Sequence, residues 1–265
     1  MKNKLLLLVL LIQISFFVLI NPQVKNKLKY NFNLFNNSSN LDEVKLENYV
    51  IGVVAAEMPA SFSFESLKAQ AVAARTFAYK KIITGSLTYD NLIYDKGQAY
   101  IDVDKMKDLW KSSFDEYYDK ISNAVLSTKG EIISYNNEPI NAYYFSLSNG
   151  KTENSSYVFG EQNYLVSVDS SWDKNNNQYE KETVISSSEF KNKLNIKDSD
   201  IIINDLIRND SNRVEKIVVN NKSINGVEFR KLFNLRSTDF DININGDNVY
   251  IKTRGYGHGV GMSQY

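Results

Sequence analysis

Residues 47–81 have the sequence ENYVIGVVAAEMPASFSFESLKAQAVAARTFAYKK, whose first part places one carboxylate, Glu57, among apolar residues. We expect a helix here, which Asp42 can cap. This helix ends near Glu57, because Pro59 cannot continue a helix and disfavours helical geometry in Met58 before it. The segment therefore predicts a carboxylate at the apolar end of a helix, beside a turn.

The surroundings of Glu57 suggest two alternatives for its side chain. A desolvated carboxylate holds its proton more tightly, and carboxylates that act as general acids near neutral pH are often placed in this way. A carboxylate at a helix end can equally be exposed to water without a catalytic role, since sequence does not show burial. The residues alone leave both alternatives open.

A second helix is predicted after the turn, with Ser61 or Ser63 as its N-cap and Gly85 beyond its end near Ile83. A stripe of mostly small apolar residues recurs three or four positions apart along it: Leu67, Ala71, Ala74, Ala78 and Ile82. Such a stripe favours close packing against a neighbouring helix. A third helix is predicted over residues 114–127, which place apolar side chains on one face.

Beyond the third helix the pattern becomes that of strands. Strand-like runs at 131–135 and 140–146, with a turn at 136–139 between them, predict a hairpin. The other predicted elements are strands at 216–219 and 249–253 and a short helix at 227–233. Because helices and strands are segregated, the predicted fold class is α+β, a helical N-terminal part followed by antiparallel β hairpins.

The composition argues against several classes of function. Lys+Arg and Asp+Glu both number 31, so the net charge of zero gives no indication of nucleic-acid binding. The chain has no cysteine, which removes thiol nucleophiles and zinc sites built on thiolates. Its one histidine, His258, would have to serve any catalytic triad or imidazole metal site. A zinc amidase or a metalloprotease is therefore close to excluded.

The N-terminus predicts a membrane anchor, with a cleaved secretory signal peptide as the alternative. Lysines precede an apolar run over residues 5–20, and no small-residue cleavage site follows it. We expect a signal anchor at 1–21, a flexible tether at 22–40 rich in Asn, Ser and Lys, and one extracytoplasmic domain at 41–265. The polar residues 174–212 suggest a possible subdomain within it.

Four ordered motifs carry a family resemblance. They are YVIGVVAAEMPASFSFESLKAQAVAARTFAYKK from Tyr49; Gln98-Ala99-Tyr100; PINAYYFSLSNGKTENSSYVFG from Pro139, followed by SVDSSWD from Ser167; and GYGHGVGMSQY at the C-terminus. Together they resemble the stage II sporulation protein D family, a group that includes enhancers of cell-wall amidases.

The resemblance implies a membrane-anchored lytic transglycosylase that degrades peptidoglycan glycan strands, preferably strands without stem peptides. In the family it acts during sporulation engulfment, in the space of the engulfing membranes, with stage II sporulation proteins P and M. The family's catalytic acid corresponds to Glu57. Some relatives hold zinc through His and Cys in the segment matching residues 143–152; this chain has neither there, so we expect no metal and no cofactor. The alternative function is a non-catalytic glycan-binding module that activates a partner amidase.

Several further residues are candidates for substrate binding, each with a structural alternative. Asp173 is the best second carboxylate, or else a solvated loop aspartate beside a buried Trp172. Arg75 either faces a cleft or pairs with a carboxylate at the edge of the core, and His258 either lines the site within its glycine-rich turn or packs in the core. The remaining candidates are Gln70, Tyr144, Ser146, Ser148 and Lys151, the last three in a polar turn typical of substrate-contacting loops.

Overall fold

The computed structural model of the chain describes residues 40–265. The predicted anchor at 1–21 and the predicted tether at 22–40, apart from Asn40, lie outside the described residues. Within residues 40–265, no helix combines the length and the apolar character needed to cross a membrane. The chain divides into two compact units, which we call unit 1 (residues 1–141, described from Asn40) and unit 2 (residues 142–265).

Four helices build the described part of unit 1: α1 (Asn40–Glu57), α2 (Phe64–Ile83), α3 (Val103–Trp110) and α4 (Phe114–Ser127). The predicted end of α1 at Glu57 is confirmed, although the helix begins before Asp42, which therefore lies in its first turn. Ser63 is the N-cap of α2, where its Oγ accepts the backbone N–H of Ser66 at 3.1 Å. The sequence patterns did not predict α3.

The core of unit 1 lies where α1, α2 and α4 meet. The predicted stripe of α2 is buried at Leu67, Ala71, Ala74 and Ala78, each 0% exposed. Val50, Val53 and Val54 of α1 are also fully buried in this cluster. Small residues on α2 let the helices approach closely, as the sequence predicted.

A short hairpin, β1 (Ser134–Tyr135) and β2 (Glu138–Pro139), follows α4. The hairpin was predicted, but its turn is shorter than expected. It consists of Asn136 and Asn137, both with positive φ (51° and 66°), the geometry of a two-residue turn. Glu138 and Pro139 therefore belong to a strand, not to the turn, and the predicted strand at 140–146 reduces to Tyr144–Phe145.

Unit 2 contains the remaining strands and two helices: β3 (Tyr144–Phe145), β4 (Glu180–Ser186), α5 (Ser187–Leu194), β5 (Ile203–Arg208), β6 (Val214–Val219), β7 (Lys222–Asn225), α6 (Gly226–Leu232), β8 (Phe240–Asn245), β9 (Asn248–Arg254) and β10 (Met262–Ser263). Two antiparallel sheets form, in the orders β4-β9-β8 and β5-β6-β7, while β3 pairs with β10 in parallel. Phenylalanines 190, 229 and 240 are fully buried in their shared core.

The α+β class is confirmed: helices form the N-terminal part and antiparallel strands follow. The predicted elements at 216–219, 227–233 and 249–253 correspond to β6, α6 and β9. Residues 174–212 contribute β4, α5 and β5, and β4 pairs along its whole length with β9. This polar segment is therefore paired with a strand near the C-terminus and is part of unit 2.

Candidate active site

Glu57 is the last residue of α1 and its side chain is half-buried. Its Oε1 accepts a hydrogen bond from the backbone N–H of Ala99 at 3.0 Å. Pro59 follows directly, so the chain turns away and leaves the carboxyl group at the helix end. The hydrogen bond fixes the orientation of the carboxyl group.

The segment that holds Glu57 is itself anchored in the core of unit 1. Gln98 is buried; its Oε1 accepts the Tyr49 hydroxyl proton at 3.2 Å, and its Nε2 donates to the carbonyl of Ala74 at 3.4 Å. These bonds tie the segment to both α1 and α2. They explain physically why Gln98-Ala99-Tyr100 accompanies the motif around Glu57.

Tyr100 adds a second anchor to the same segment. Its ring stacks on that of Tyr49, with centroids 5.6 Å apart and an interplanar angle of 9°. Gly52 of α1 lies beneath the Tyr100 ring, where any side chain would overlap it, and the Gly52 carbonyl accepts the Ile101 N–H at 3.2 Å. A glycine is therefore required in α1 for the backbone of residues 98–101 to lie alongside it.

Arg75 has the second of its two predicted roles, pairing with a carboxylate. It is 1% exposed and binds Glu47 through two parallel hydrogen bonds, Nε to Oε1 at 2.9 Å and Nη2 to Oε2 at 2.7 Å. The guanidinium also donates to the carbonyls of Val125 and Glu131. Its donors are occupied within the protein, so Arg75 fastens α2 to α1 and to the end of α4. Gln70, also on α2, is 0% exposed. We leave both residues outside the proposed site.

Asp173 is completely buried in unit 2, within a short 3-10 helix at Ser171–Asn175. Its Oδ2 accepts the Ser148 backbone N–H at 2.7 Å and the hydroxyls of Ser263 at 2.6 Å and Ser170 at 3.3 Å. Oδ1 is buried without a hydrogen-bond partner in the described residues. Asp173 therefore joins the polar turn after β3 to the C-terminal strand β10.

The structure reverses the expected burial of Trp172 and Asp173. The sequence interpretation offered a solvated aspartate beside a buried tryptophan, and that alternative is wrong. Trp172 is 56% exposed and Asp173 is 0% exposed. The carboxylate is stable in the interior because three donors bind it there.

The polar turn over residues 146–151 mixes exposed and buried side chains. Ser146 and Lys151 are exposed, whereas Ser148 is 0% exposed. The Ser148 Oγ donates to the Ser170 carbonyl at 3.0 Å and accepts the Gly150 N–H at 3.0 Å. Ser148 thus shapes the turn from within, while Ser146 and Lys151 are accessible to a ligand.

His258 lies half-buried among aromatic rings. The centroids of Phe159 and Phe145 are 4.9 Å and 5.8 Å from that of the imidazole. The Val260 backbone N–H donates to Nδ1 at 3.1 Å. Burial is the main cause that lowers the pKa of His258 to about 4, and the nearby positive charges of Arg230 and Arg213 lower it further. The imidazole is neutral near pH 7 and shapes the glycine-rich turn.

The lowered pKa of His258 predicts a loss of stability in acid. The folded protein holds this proton less tightly than the unfolded chain, whose imidazole titrates near 6.5. The contribution of His258 to stability is therefore complete above pH 6.5 and is lost as the pH falls towards 4. Because the chain has one histidine, a single imidazole resonance in an NMR titration reports it, and we expect a midpoint near 4. A midpoint near 6.5 would contradict the aromatic packing described here.

Sequence reasoning missed two residues that organise unit 2, Ser263 and Arg213. Ser263 bonds Asp173 from within the predicted C-terminal motif, where its small polar side chain gave no distinctive signal. Arg213 is 2% exposed; its Nη2 donates to the Lys151 carbonyl at 3.0 Å, and its guanidinium lies against Gly259. A Cβ at Gly259, whose φ is +85°, would lie 2.6 Å from the Arg213 Cζ, so glycine is required there.

The candidate residues fall into both units. Unit 1 carries Glu57, with Gln70 and Arg75 in its interior. Unit 2 contains the other candidates, Tyr144, Ser146, Ser148, Lys151, Asp173 and His258. Tyr144 is half-buried on β3. Among the described residues, no group of three or more His, Cys, Asp or Glu side chains is placed to hold a metal ion.

Comparison with known proteins identifies the family of this chain. Residues 36–135 match the family model described as Stage II sporulation protein (SpoIID). Stage II sporulation protein D of Bacillus subtilis (strain 168) is 41% identical over 239 residues, covering 86% of this chain and 69% of that protein. This chain belongs to the stage II sporulation protein D family. The family's protein from Bacillus amyloliquefaciens is also 41% identical, over 85% of this chain and 68% of its own length.

A more distant relative of the family has a different name. The amidase enhancer of Bacillus subtilis (strain 168) is 37% identical over 116 residues, which cover 43% of this chain and 14% of that protein. The resemblance drawn from the four sequence motifs is thus confirmed, including its link to amidase enhancers.

Proposed function

We propose that this chain is a peptidoglycan lytic transglycosylase of sporulation engulfment, with Glu57 as both general acid and general base. The observation that carries the proposal is the placement of Glu57: a half-buried carboxyl group at the end of α1, oriented by the Ala99 N–H. Its substrate is the glycan strand, preferably one from which an amidase has removed the stem peptides. Membership of a sporulation family supports this setting.

The proposed reaction needs one carboxyl group. Protonated Glu57 gives its proton to the glycosidic oxygen while the bond from the sugar C1 to that oxygen breaks, and the electron pair stays on the leaving oxygen. The resulting carboxylate then takes the proton of the C6 hydroxyl of the muramic acid whose C1 has lost the leaving oxygen. The freed oxygen bonds to C1 and closes a 1,6-anhydro ring. No water is consumed, and Glu57 ends protonated as it began.

A glycoside hydrolase is the closest chemical rival, and it generally requires a second carboxylate to activate water or attack the sugar. Asp173 was the best candidate for that role. It is 0% exposed, and its Oδ2 is occupied by three donors, so it is poorly placed to contact water and substrate together. This geometry favours transglycosylation.

The second candidate function is a non-catalytic module that binds glycan and activates a partner amidase. The observation in its favour is the amidase enhancer of Bacillus subtilis among the relatives. For either function we propose a single-pass membrane location, with the domain outside the cytoplasm in the space of the engulfing membranes. We also propose a complex with stage II sporulation proteins P and M.

Product analysis separates the two candidates. The purified full-length chain is incubated alone with glycan strands freed of stem peptides, and the products are identified by mass spectrometry. Anhydromuramic ends from the parent and none from Glu57→Gln establish transglycosylation by Glu57. No cleavage by the chain alone, together with faster peptide release when a purified cell-wall amidase is added, would instead establish the activating module.

A further inference from the structure

Two lysines of unit 2, Lys151 in the polar turn and Lys174 near it, have no carboxylate partner among residues 40–265. Both are exposed, and no carboxylate oxygen of the described residues lies within 4.0 Å of either ammonium group. The Lys151 Nζ instead contacts the Asp210 carbonyl at 3.4 Å. Asp169 lies opposite Lys151 in a β-bridge, but its Oδ2 accepts the Ser171 hydroxyl at 2.9 Å.

Gly150, the residue that precedes Lys151 in the turn, leaves room for the side chain of Lys174. The side chain of Lys174 lies across this glycine, where an added Cβ would be 3.1 Å from the Lys174 Nζ. Gly150 also has a φ of +107°, so a side chain there would be strained as well as crowded. Lys174 therefore lies over the residue that precedes Lys151, which places two positively charged side chains at the same turn.

Trp172 is presented from the same short helix as Lys174. Its indole is 56% exposed, although Asp173 beside it is fixed by hydrogen bonds to Ser148, Ser170 and Ser263. The backbone that carries the indole is therefore anchored. An exposed aromatic face on a fixed backbone is well suited to stack against the C–H face of a pyranose ring.

We propose that Trp172, Lys151 and Lys174 form an anionic-sugar subsite, which binds a pyranose carrying a free carboxylate. The inference rests on the proposed function, because it assigns a substrate feature to the same glycan. The lactyl group of muramic acid ends in a carboxylate once the stem peptide has been removed, whereas attachment of the peptide turns that group into a neutral amide. The subsite thereby gives a chemical reason for preferring strands without stem peptides.

Binding measurements on the full-length Glu57→Gln chain, which is expected not to cleave, test the subsite. The ligands are peptide-free glycan strands and the same strands with their carboxylates converted to methylamides. We expect the Lys151→Met, Lys174→Met double variant to bind the carboxylate strands about tenfold more weakly, and the amidated strands as before. Trp172→Ala is expected to weaken binding of both ligands by about fivefold, because stacking does not depend on the carboxylate.

Lys216→Met is the matched control, since Lys216 is also exposed in unit 2 without an ion pair among the described residues, and it should leave both affinities unchanged. Equal affinity of the Glu57→Gln chain for the two ligands, or a double lysine variant that keeps its preference for carboxylates, would overturn the subsite. The proposed cleavage is judged separately by its products. If the chain cleaves glycan but binds both ligands equally, only the proposed subsite is wrong. If binding depends on the carboxylate but no cleavage occurs, only the proposed enzyme activity is wrong.

Discussion

Replacing Glu57 by glutamine should lower the rate of glycan cleavage by about 10²–10⁴-fold, the range typical for loss of a general acid or base. Glutamine has the same shape, and its amide oxygen can still accept the Ala99 N–H, but it cannot give a proton to the glycosidic oxygen. We therefore expect the folded structure to be retained. Initial rates on peptide-free strands, measured beside urea unfolding, check both parts of this prediction.

The matched control for this variant is Glu65→Gln. Glu65 lies in the first turn of α2, is exposed, and pairs with Lys68 on the surface at 3.0 Å. Its loss should change neither the cleavage rate nor the unfolding midpoint appreciably. If Glu57→Gln cleaved glycan at the parental rate, the proposed mechanism would be wrong.

Replacing Arg75 by methionine should destabilise the protein by about 3–5 kcal/mol, the cost of removing one partner from a buried ion pair. The change leaves the Glu47 carboxylate, 3% exposed, without its guanidinium partner. It also removes the donors that meet the carbonyls of Val125 and Glu131. The free energy of unfolding in urea measures the effect.

A double-mutant cycle separates the ion pair from other effects of the substitution. Glu47→Gln and Arg75→Met should be less destabilising together than the sum of their separate effects, since the double variant buries no unpaired charge. Lys68→Met, which removes the exposed partner of Glu65, should stay within about 0.5 kcal/mol of the parent. If Arg75→Met were as stable as the parent but bound glycan more weakly, Arg75 would belong to the cleft instead.

The helical part of the fold could be predicted because its signals are local. Pro59 marks the end of α1, Ser63 caps α2, and the alanine stripe identifies the buried face. By contrast β4, with the sequence EKETVIS, is mostly polar and exposed, and it becomes a strand by pairing with β9 about seventy positions later. Such long-range pairing leaves no periodic pattern in a single sequence.

For the candidate site too, contacts between residues distant in sequence could not be predicted. Glu57 could be found because its apolar surroundings and the proline lie within a few residues of it. The Ala99 N–H that orients it lies 42 positions away, so only the fold reveals the contact. Burial was equally hidden: Arg75 is interior and Trp172 exposed, because partners distant in sequence decide where each side chain lies.

Incorporation of a heavy oxygen isotope shows whether Glu57 breaks the glycosidic bond without water. Peptide-free strands are digested by the full-length chain in water carrying the heavy oxygen isotope, and the new ends are weighed by mass spectrometry. We expect anhydromuramic ends without heavy oxygen, formed by the parent and absent with Glu57→Gln. Reducing ends that contain the heavy isotope would show that water attacks the sugar, and would rule out the proposed transglycosylation.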